Sequence, residues 1–400
     1  MKNRITERVF ISEGCKKMRR ILTRCCSIVL MLAMLSNFSA AASADSDWKS
    51  TAKEYFYNSE YDSAVAYLKP FAENDPEAKA LRAAILSTAG NPEEDYRVII
   101  AELIDDGEDF VPLLERVTKE VLGFVINLDL NGTMLHTYCE GDFDTAFSIA
   151  AYQARRGSVF GRSFLVYACM NCKDTAKEIK RLGITGDELE YWIEESCTAG
   201  DPVAMYLLAE TNTYLERKGD VNYYEKAAEL LRILEQGGRI PEPEGRDSED
   251  DPDSLNLNPM SGLGFSVRNP LICFFIGECF RFGDGDFPKD LDQAGEWYRK
   301  AAEQGLPEGA ENYGHTLLQK LLYRQVSGDD YDEVLNECYY YLQRAATTHG
   351  RPAAQYDLAA LYYSIGDTDN GRLWMKTSAE NGFSLAREYV DGSYSFKDWM

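Results

Sequence analysis

The sequence predicts an all-α fold, an α-solenoid of stacked antiparallel helix pairs. Apolar and small residues recur at helical spacing, a glycine follows the end of each predicted second helix, and the whole pattern repeats in the C-terminal third of the chain. A chain of 400 residues also exceeds the size of a single hydrophobic core. Because one helix pair cannot bury its apolar faces alone, the pairs must stack into a superhelix.

The clearest unit spans residues 273–305. Its first helix carries Gly277 and Phe280 and leads into a glycine-rich turn. A second helix, predicted over about 291–304, presents small and aromatic residues on one face. Small residues allow helix backbones to approach where they cross, and glycine suits a left-handed cap at a helix end. The turn and second-helix positions of this unit are Gly283, Gly285, Trp297, Tyr298, Ala301, Ala302 and Gly305.

The same pattern recurs twice downstream, with turns of different length. We predict three units between residues 270 and 400, and a last helix over 383–390 that caps the array. A further unit is expected around 187–236, and the match weakens before it. Residues 91–140 have a helical pattern that fits no unit. The recurring downstream positions are Gly314, Tyr341, Gly350, Ala359, Tyr362, Trp374, Ala379 and Gly382.

Segment 273–305 resembles a Sel-one-like repeat, a helical repeat related to the tetratricopeptide repeat. The resemblance is carried by the Gly-x-x-aromatic motif of Gly277 and Phe280, the Gly-x-Gly turn, Asp290 and the closing WYRKAAEQG. It implies a TPR-like superhelix of the exported bacterial type that binds proteins or peptides. Some secreted members of that family staple each helix pair with cysteines. The cysteines of this chain do not recur at the repeat period, so that scheme is not expected here.

The N-terminus has the three-part layout of a secretory signal peptide. Basic residues within 16–24 precede an apolar run at 27–35, and small residues follow at 39–44. We predict cleavage after Ala44 and export to the periplasm or the extracellular space. An uncleaved anchor is the alternative, although the apolar run is short for a membrane span and no later segment approaches ~20 apolar residues.

Beyond the signal peptide at 1–44, the sequence divides into three parts. Degenerate helical repeats are expected over 45–236 and clearer repeats with a capping helix over 270–400. Between them, residues 237–269 are rich in Pro, Gly, Asp and Glu. This composition indicates a flexible acidic insertion, which serves either as a linker or as a tether for a basic ligand.

The charge of the chain disfavours nucleic acid as a partner. The full chain carries −24, and residues 45–400 carry −30 because the first 44 residues hold eight Lys/Arg and two Asp/Glu. Nucleic-acid binding depends on neutralising phosphates with basic residues. If the acidic surface has a binding role, it favours a basic protein or peptide.

Seven cysteines lie beyond residue 44, which is an odd number for an oxidising compartment. Cys169 and Cys172 form a CxxC pair that, with Cys139 and Cys197, could in principle bind zinc. No second CxxC supports that interpretation. Disulfides or buried thiols are favoured over zinc or a redox pair, and we predict no metal and no cofactor.

No catalytic motif stands out. His136, His315 and His349 are far apart in the sequence, and there is no GxSxG, HExxH, P-loop or Rossmann signature. Residues 127–132 match the first half of a calcium loop, but Tyr138 occupies the position that needs a bidentate Glu. We therefore interpret such aspartates as turn-forming and helix-capping residues.

The function predicted from these features is that of an exported, non-catalytic scaffold for protein–protein interactions. An enzyme acting on a cell-wall or β-lactam-type substrate is one alternative, and a host-directed effector or envelope-organising protein is another. Among the many tyrosines, Tyr341 and Tyr362 are expected in the core, whereas Tyr340 and Tyr363 could line a ligand surface.

Overall fold

The computed structural model describes residues 48–89, 95–172, 175–214, 223–240, 266–328 and 330–392. Within these ranges the chain forms nineteen α-helices and no strand. The prediction of an all-α fold is confirmed. None of the helices in the described ranges is both long and apolar enough to cross a membrane. The predicted signal peptide and residues 241–265 of the acidic insertion lie outside the described residues.

The helices of the N-terminal half are mostly two to four turns long. In chain order they are α1 (Trp48–Tyr57), α2 (Tyr61–Leu68), α3 (Pro76–Ala89), α4 (Tyr96–Asp105), α5 (Phe110–Leu122), α6 (Leu130–Glu140), α7 (Phe143–Arg155), α8 (Val159–Asn171), α9 (Thr175–Leu182), α10 (Gly186–Thr198), α11 (Pro202–Tyr214) and α12 (Tyr223–Glu235). The segment 91–140, which fits no repeat in the sequence, contains α4, α5 and α6.

The described residues of the C-terminal part form seven helices. They are α13 (Pro270–Phe282), α14 (Leu291–Glu303), α15 (Pro307–Leu322), α16 (Asp330–Thr348), α17 (Pro352–Ser364), α18 (Thr368–Glu380) and α19 (Ser384–Val390). Helix α14 covers the second helix predicted at 291–304. Helix α19 lies within the predicted capping segment and packs on α18.

Aspartates begin several of these helices, as the sequence suggested. Asp290 accepts hydrogen bonds from the backbone N–H groups of residues 292 and 293, both at 3.0 Å. Asp129 accepts one from Gly132 at 3.0 Å, so the calcium-like segment is the cap of α6. Each such bond satisfies an N–H group that has no partner inside the helix.

The helices stack in an order that makes a superhelix. In the C-terminal half, α11, α13, α15 and α17 are the first helices of successive pairs, and α12, α14, α16 and α18 are the second helices. Each first helix packs on its own second helix and also on the next first helix. Consecutive second helices meet less extensively. The first helices therefore line the inner side of the superhelix.

Glycines allow the closest approaches between the two helices of a pair. A Cβ atom on Gly277 of α13 would lie 2.6 Å from the Tyr298 ring of α14. A Cβ atom on Gly314 of α15 would lie 2.7 Å from Leu342 of α16. Real Cβ contacts are longer, so the helix pairs pack at a separation that requires glycine at these two positions.

Candidate functional site

A row of polar side chains runs along the inner side of the solenoid. Helices α11, α13 and α15 each begin with a proline, at Pro202, Pro270 and Pro307. Eight residues after each proline stands a titratable side chain that faces the same side of the stack. We call these three residues the inner row: Glu210, Glu278 and His315.

Glu278 lies at the centre of the inner row and is only 7% exposed. Its Oε1 atom accepts hydrogen bonds from the hydroxyl of Tyr298 and, at 3.2 Å, from the side-chain amide of Asn312. Arg281 lies 3.6 Å from the same oxygen. Burial raises the pKa of Glu278. It also raises the pKa of Glu210 to about 7, with a smaller contribution from the Glu278 charge.

His315 bridges the inner row to helix α17. Its Nδ1 atom lies 2.8 Å from a carboxylate oxygen of Asp357, which is 5% exposed. Its Nε2 atom lies 2.8 Å from the side-chain amide of Gln319. Burial acts to lower the pKa of His315, but the Asp357 carboxylate outweighs it and the net pKa is raised. Burial raises the pKa of Asp357, and the His315 charge opposes that rise.

A cavity of about 140 Å³ opens between α13, α14 and α15 next to this row. Arg281, Asn312, His315 and Gln319 supply polar groups to it, and Tyr298 and the face of α14 supply apolar surface. Such a mixture of donors, acceptors and apolar wall suits backbone amides and short side chains of a peptide. The hydroxyl-bearing side chains that line it are Thr316 and Tyr298.

The repeat-signature aromatics divide between core and surface. Trp297, Tyr298 and Tyr341 are buried, whereas Trp374 is half-buried. Tyr362, expected in the core, is also only half-buried, and its hydroxyl lies 3.3 Å from that of Tyr339. Four of the signature alanines are buried, namely Ala301, Ala302, Ala359 and Ala379. Gly305, at the end of α14, has a φ of +103°, the left-handed region predicted for such a cap.

The seven cysteines of the described residues are free thiols. Among these, burial raises the pKa of Cys139, Cys169, Cys172 and Cys197 to about 12 each. The zinc interpretation of these four is not supported, since no group of three or more His, Cys, Asp or Glu in the described ranges is placed to hold a metal ion.

Of the other two histidines, one contacts a carboxylate on its own helix and one contacts a backbone carbonyl oxygen. His136 lies 3.2 Å from Glu140 on the same helix. His349 contacts the carbonyl oxygen of Cys139 at 2.8 Å. Sequence reasoning did not single out Glu210, Glu278 or Asp357. The constant spacing of eight residues from a helix-starting proline was the signal that could have found the first two.

A stack of antiparallel helix pairs with a polar inner row places the protein among the helical-repeat proteins of the α-solenoid class. The Sel1 repeat family model matches four stretches, residues 202–232, 272–306, 322–347 and 352–383. Those four stretches are therefore Sel1 repeats, and the resemblance seen in the sequence is confirmed. All three inner-row residues lie between residues 202 and 322, the span of α11 to α15.

Two solved structures are similar over most of the chain. One is a Sel1 repeat protein from Oxalobacter formigenes, with 18% identity, 88% of this chain and 90% of that chain covered, and a TM-score of 0.29. The other is a protective antigen present in uropathogenic Escherichia coli strains displaying an SLR fold, with 18% identity, 85% and 74% covered, and a TM-score of 0.31. No curated protein sequence matches the chain.

Proposed function

We propose that this protein is an exported, non-catalytic scaffold that binds another protein or a peptide along the inner row. The observation that carries the proposal is the repeated placement of Glu210, Glu278 and His315 on successive first helices, where His315 lines a cavity of about 140 Å³. Stacked repeats offer extended binding surfaces of this kind, with affinity summed over several units.

The charge of the chain supports a basic partner. Residues 45–400 carry −30, so the surface attracts a cationic protein and speeds its approach. Binding should therefore weaken as salt concentration rises, because screening shortens the range of this attraction. Binding by a shortened chain that lacks residues 238–268 shows whether the acidic insertion or the inner row is the source of that attraction.

A photo-crosslinking experiment tests the binding surface. A photoreactive amino acid replaces Gln319, which lines the cavity, and in a matched protein it replaces Lys376, which is 69% exposed on α18. We expect a defined crosslinked partner from envelope or culture fractions only with the probe at 319. Arg281→Ala should reduce the yield several-fold, whereas Arg372→Ala, at a side chain 73% exposed on α18, should not.

Two results would overturn this proposal. Equal crosslinking from positions 319 and 376 would show that the inner row has no special role. Turnover of a cell-wall or β-lactam substrate by the purified protein, lost on substitution of a cavity residue, would replace the scaffold with an enzyme.

Export is supported by the basic, apolar and small-residue layout of residues 1–44. Expression of the full chain, followed by mass spectrometry of the protein in envelope and culture fractions, tests it. A mature protein that begins at Asp45 is expected. A protein that keeps its first 44 residues and stays with the membrane would instead favour the uncleaved anchor.

A further inference from the structure

A small junction joins the turn between α6 and α7 to two connections of the C-terminal repeats. It consists of residues 139–143, 305–308 and 348–351. A Cβ atom on Gly141 would lie 3.1 Å from the carbonyl oxygen of Thr348. A Cβ atom on Gly305 would lie 3.1 Å from the Cβ atom of Cys139. The two sides of the junction are therefore in close contact.

His349 connects the two sides of the junction. Its Nε2 atom lies 2.8 Å from the carbonyl oxygen of Cys139, and because a carbonyl only accepts, Nε2 carries the proton. The ring also lies against Phe143, with 6.3 Å between the ring centres. Its Nδ1 atom is buried and has no hydrogen-bond partner among the described residues. In the closed junction His349 is therefore a neutral imidazole whose second nitrogen carries no proton.

A second ring proton would lack a protein acceptor in the closed junction. A cavity of about 100 Å³ lies beside the ring, and Tyr138, Cys172, Glu308 and Arg351 line it together with His349. Burial raises the pKa of Cys172 to about 12, so its thiol stays neutral. Glu308 acts on His349 through its charge, and no hydrogen bond joins it to Nδ1. A proton on Nδ1 would thus be a buried donor without a partner in the protein, which is costly.

The charges around the ring act in opposite directions. Arg344 and Arg351 disfavour a charged imidazole, and so do the N-termini of α15 and α17, which start beside the cavity. Glu308 favours it, as does the carbonyl oxygen at the end of α6. Burial is the largest cause of the shift, and the pKa of His349 is lowered overall. A charged His349 is therefore less stable in the closed junction than in water.

The other acidic side chains near the junction have partners of their own. Glu308 accepts a hydrogen bond of 3.0 Å from Tyr138, and Tyr167 also interacts with it. The remaining pairs are Glu311 with Arg351 at 2.7 Å, Glu140 with Arg97 at 2.9 Å, and Asp142 with the Thr145 backbone N–H at 3.3 Å. The negative charge near the junction is therefore matched by these donors.

We propose that the junction is an acid-sensitive switch, in which a proton taken up at Nδ1 of His349 releases the turn between α6 and α7 from the C-terminal repeats. In the released state water solvates the imidazolium, and the ring no longer lies beside Arg344 and Arg351. The folded pKa lies below the ordinary histidine value of about 6.5. His349 therefore stabilises the closed junction fully above about pH 6.5, and this stabilisation is lost as pH falls from there through the folded pKa.

Access to the Cys139 thiol tests the switch, because this side chain is 6% exposed and packs against Gly305 in the closed junction. The thiol is labelled with 4,4′-dithiodipyridine in half-unit steps from pH 7.5 to pH 5.0, with site-resolved mass spectrometry. Each native rate is divided by the rate in urea at the same pH, which corrects for the thiolate fraction. We expect this ratio to rise by about three- to thirtyfold, since one proton shifts the equilibrium by at most about tenfold for each pH unit below about 6.5. Cys279, buried on α13, should show no such rise.

Variants assign the effect to one proton. His349→Gln keeps an amide donor for the Cys139 carbonyl but does not titrate, so its ratio should stay constant over this range. His136→Gln and His315→Gln should keep the rise of the wild-type protein. Glu210 and Asp201, whose burial raises their pKa values to about 7 and about 6, still titrate in all of these variants.

A second measurement covers the case in which His349→Gln opens the junction at every pH. The ring ¹⁵N resonances of His349 in the wild-type protein should titrate with a midpoint below 6.5. The Cys139 ratio should rise between pH 6.5 and that midpoint.

Three results would overturn the proposal. They are a constant Cys139 ratio in the wild-type protein, an equal rise in His349→Gln, and a His349 midpoint at or above 6.5. An equal rise at Cys139 and Cys279 would likewise replace the switch with general loosening of the fold. The junction cavity shares no lining residue with the inner-row cavity, so each of these outcomes leaves the scaffold function to be tested separately.

Discussion

Tyr138 on α6 donates a hydrogen bond of 3.0 Å to Glu308 on α15, 170 residues further along the chain. Both residues are almost fully buried, at 1% and 2% exposed. The bond joins the N-terminal helices to the C-terminal repeats across the inside of the superhelix. Contacts in a simple solenoid involve near neighbours only, so this pair is a departure from that simple pattern.

The Tyr138–Glu308 bond should contribute measurably to stability. Tyr138→Phe keeps the ring packing but removes a donor from a buried carboxylate. We expect the free energy of unfolding to fall by about 1–3 kcal/mol. Urea denaturation followed by circular dichroism measures it. The matched control is Tyr340→Phe, at a residue 57% exposed, and an equal loss in both variants would contradict the assignment.

Gly277 should tolerate no side chain. Gly277→Ala places a Cβ atom 2.6 Å from the Tyr298 ring, so α13 and α14 must separate. We expect a loss of about 1–3 kcal/mol in unfolding free energy. Gly186→Ala at the start of α10, where no atom lies within 4 Å, should be neutral or slightly stabilising. A neutral result at Gly277 in thermal or urea unfolding would mean that the helix pair is loosely packed.

Glu210 should make stability depend on pH in a definite direction. Its folded pKa of about 7 exceeds the ordinary glutamate value of about 4.3, so the folded state binds the proton more tightly. This stabilisation is complete below about pH 4.3 and is lost as pH rises through about 7. The loss is on the order of 1–3 kcal/mol, since the side chain keeps partial contact with water.

Glu210→Gln should flatten that part of the profile. The measurement is the unfolding free energy from urea titrations at half-unit steps between pH 4 and pH 8. Glu229→Gln on the exposed side of α12 serves as the control and should leave the slope unchanged. The burial argument would be refuted if the unfolding free energy of the wild-type protein rose between pH 4 and pH 8 and if Glu210→Gln removed that rise.

The cysteines should react slowly in the folded protein. A thiol with a pKa of about 12, as at Cys139, Cys169, Cys172 and Cys197, has very little thiolate at pH 8. Alkylation by iodoacetamide should be at least about a hundredfold slower than in urea. Site-resolved mass spectrometry measures each rate. Rapid native labelling of any of the four, or a disulfide between two of them, would contradict the structure.

The sequence predicted most of the C-terminal array because the constraints there are local. Gly277, Trp297 and Gly305 each follow from a helix crossing or a helix end, and these depend on residues a few positions away. The N-terminal half obeys the same packing rules with less regular spacing. For that reason α4 and α5 were recognised as helical but not placed in a unit.

The inner row and the contact between Tyr138 and Glu308 do not follow from these local constraints, for two different reasons. The inner row can be identified only once it is known that consecutive first helices pack together. Its spacing from the helix-starting prolines was already present in the sequence. The contact between Tyr138 and Glu308 needs the curvature of the whole stack, since these residues belong to helices nine positions apart.

The sequence by itself determined the all-α class and the repeat family, because short-range periodicity and turn chemistry encode them. Only the tertiary structure decided that Glu308 and His349 face Tyr138 and Cys172 across a buried cavity. Superhelical curvature sums small rotations between successive helix pairs. Each rotation depends on side-chain packing that no local pattern specifies, so contacts between distant helices appear only when the stack is complete.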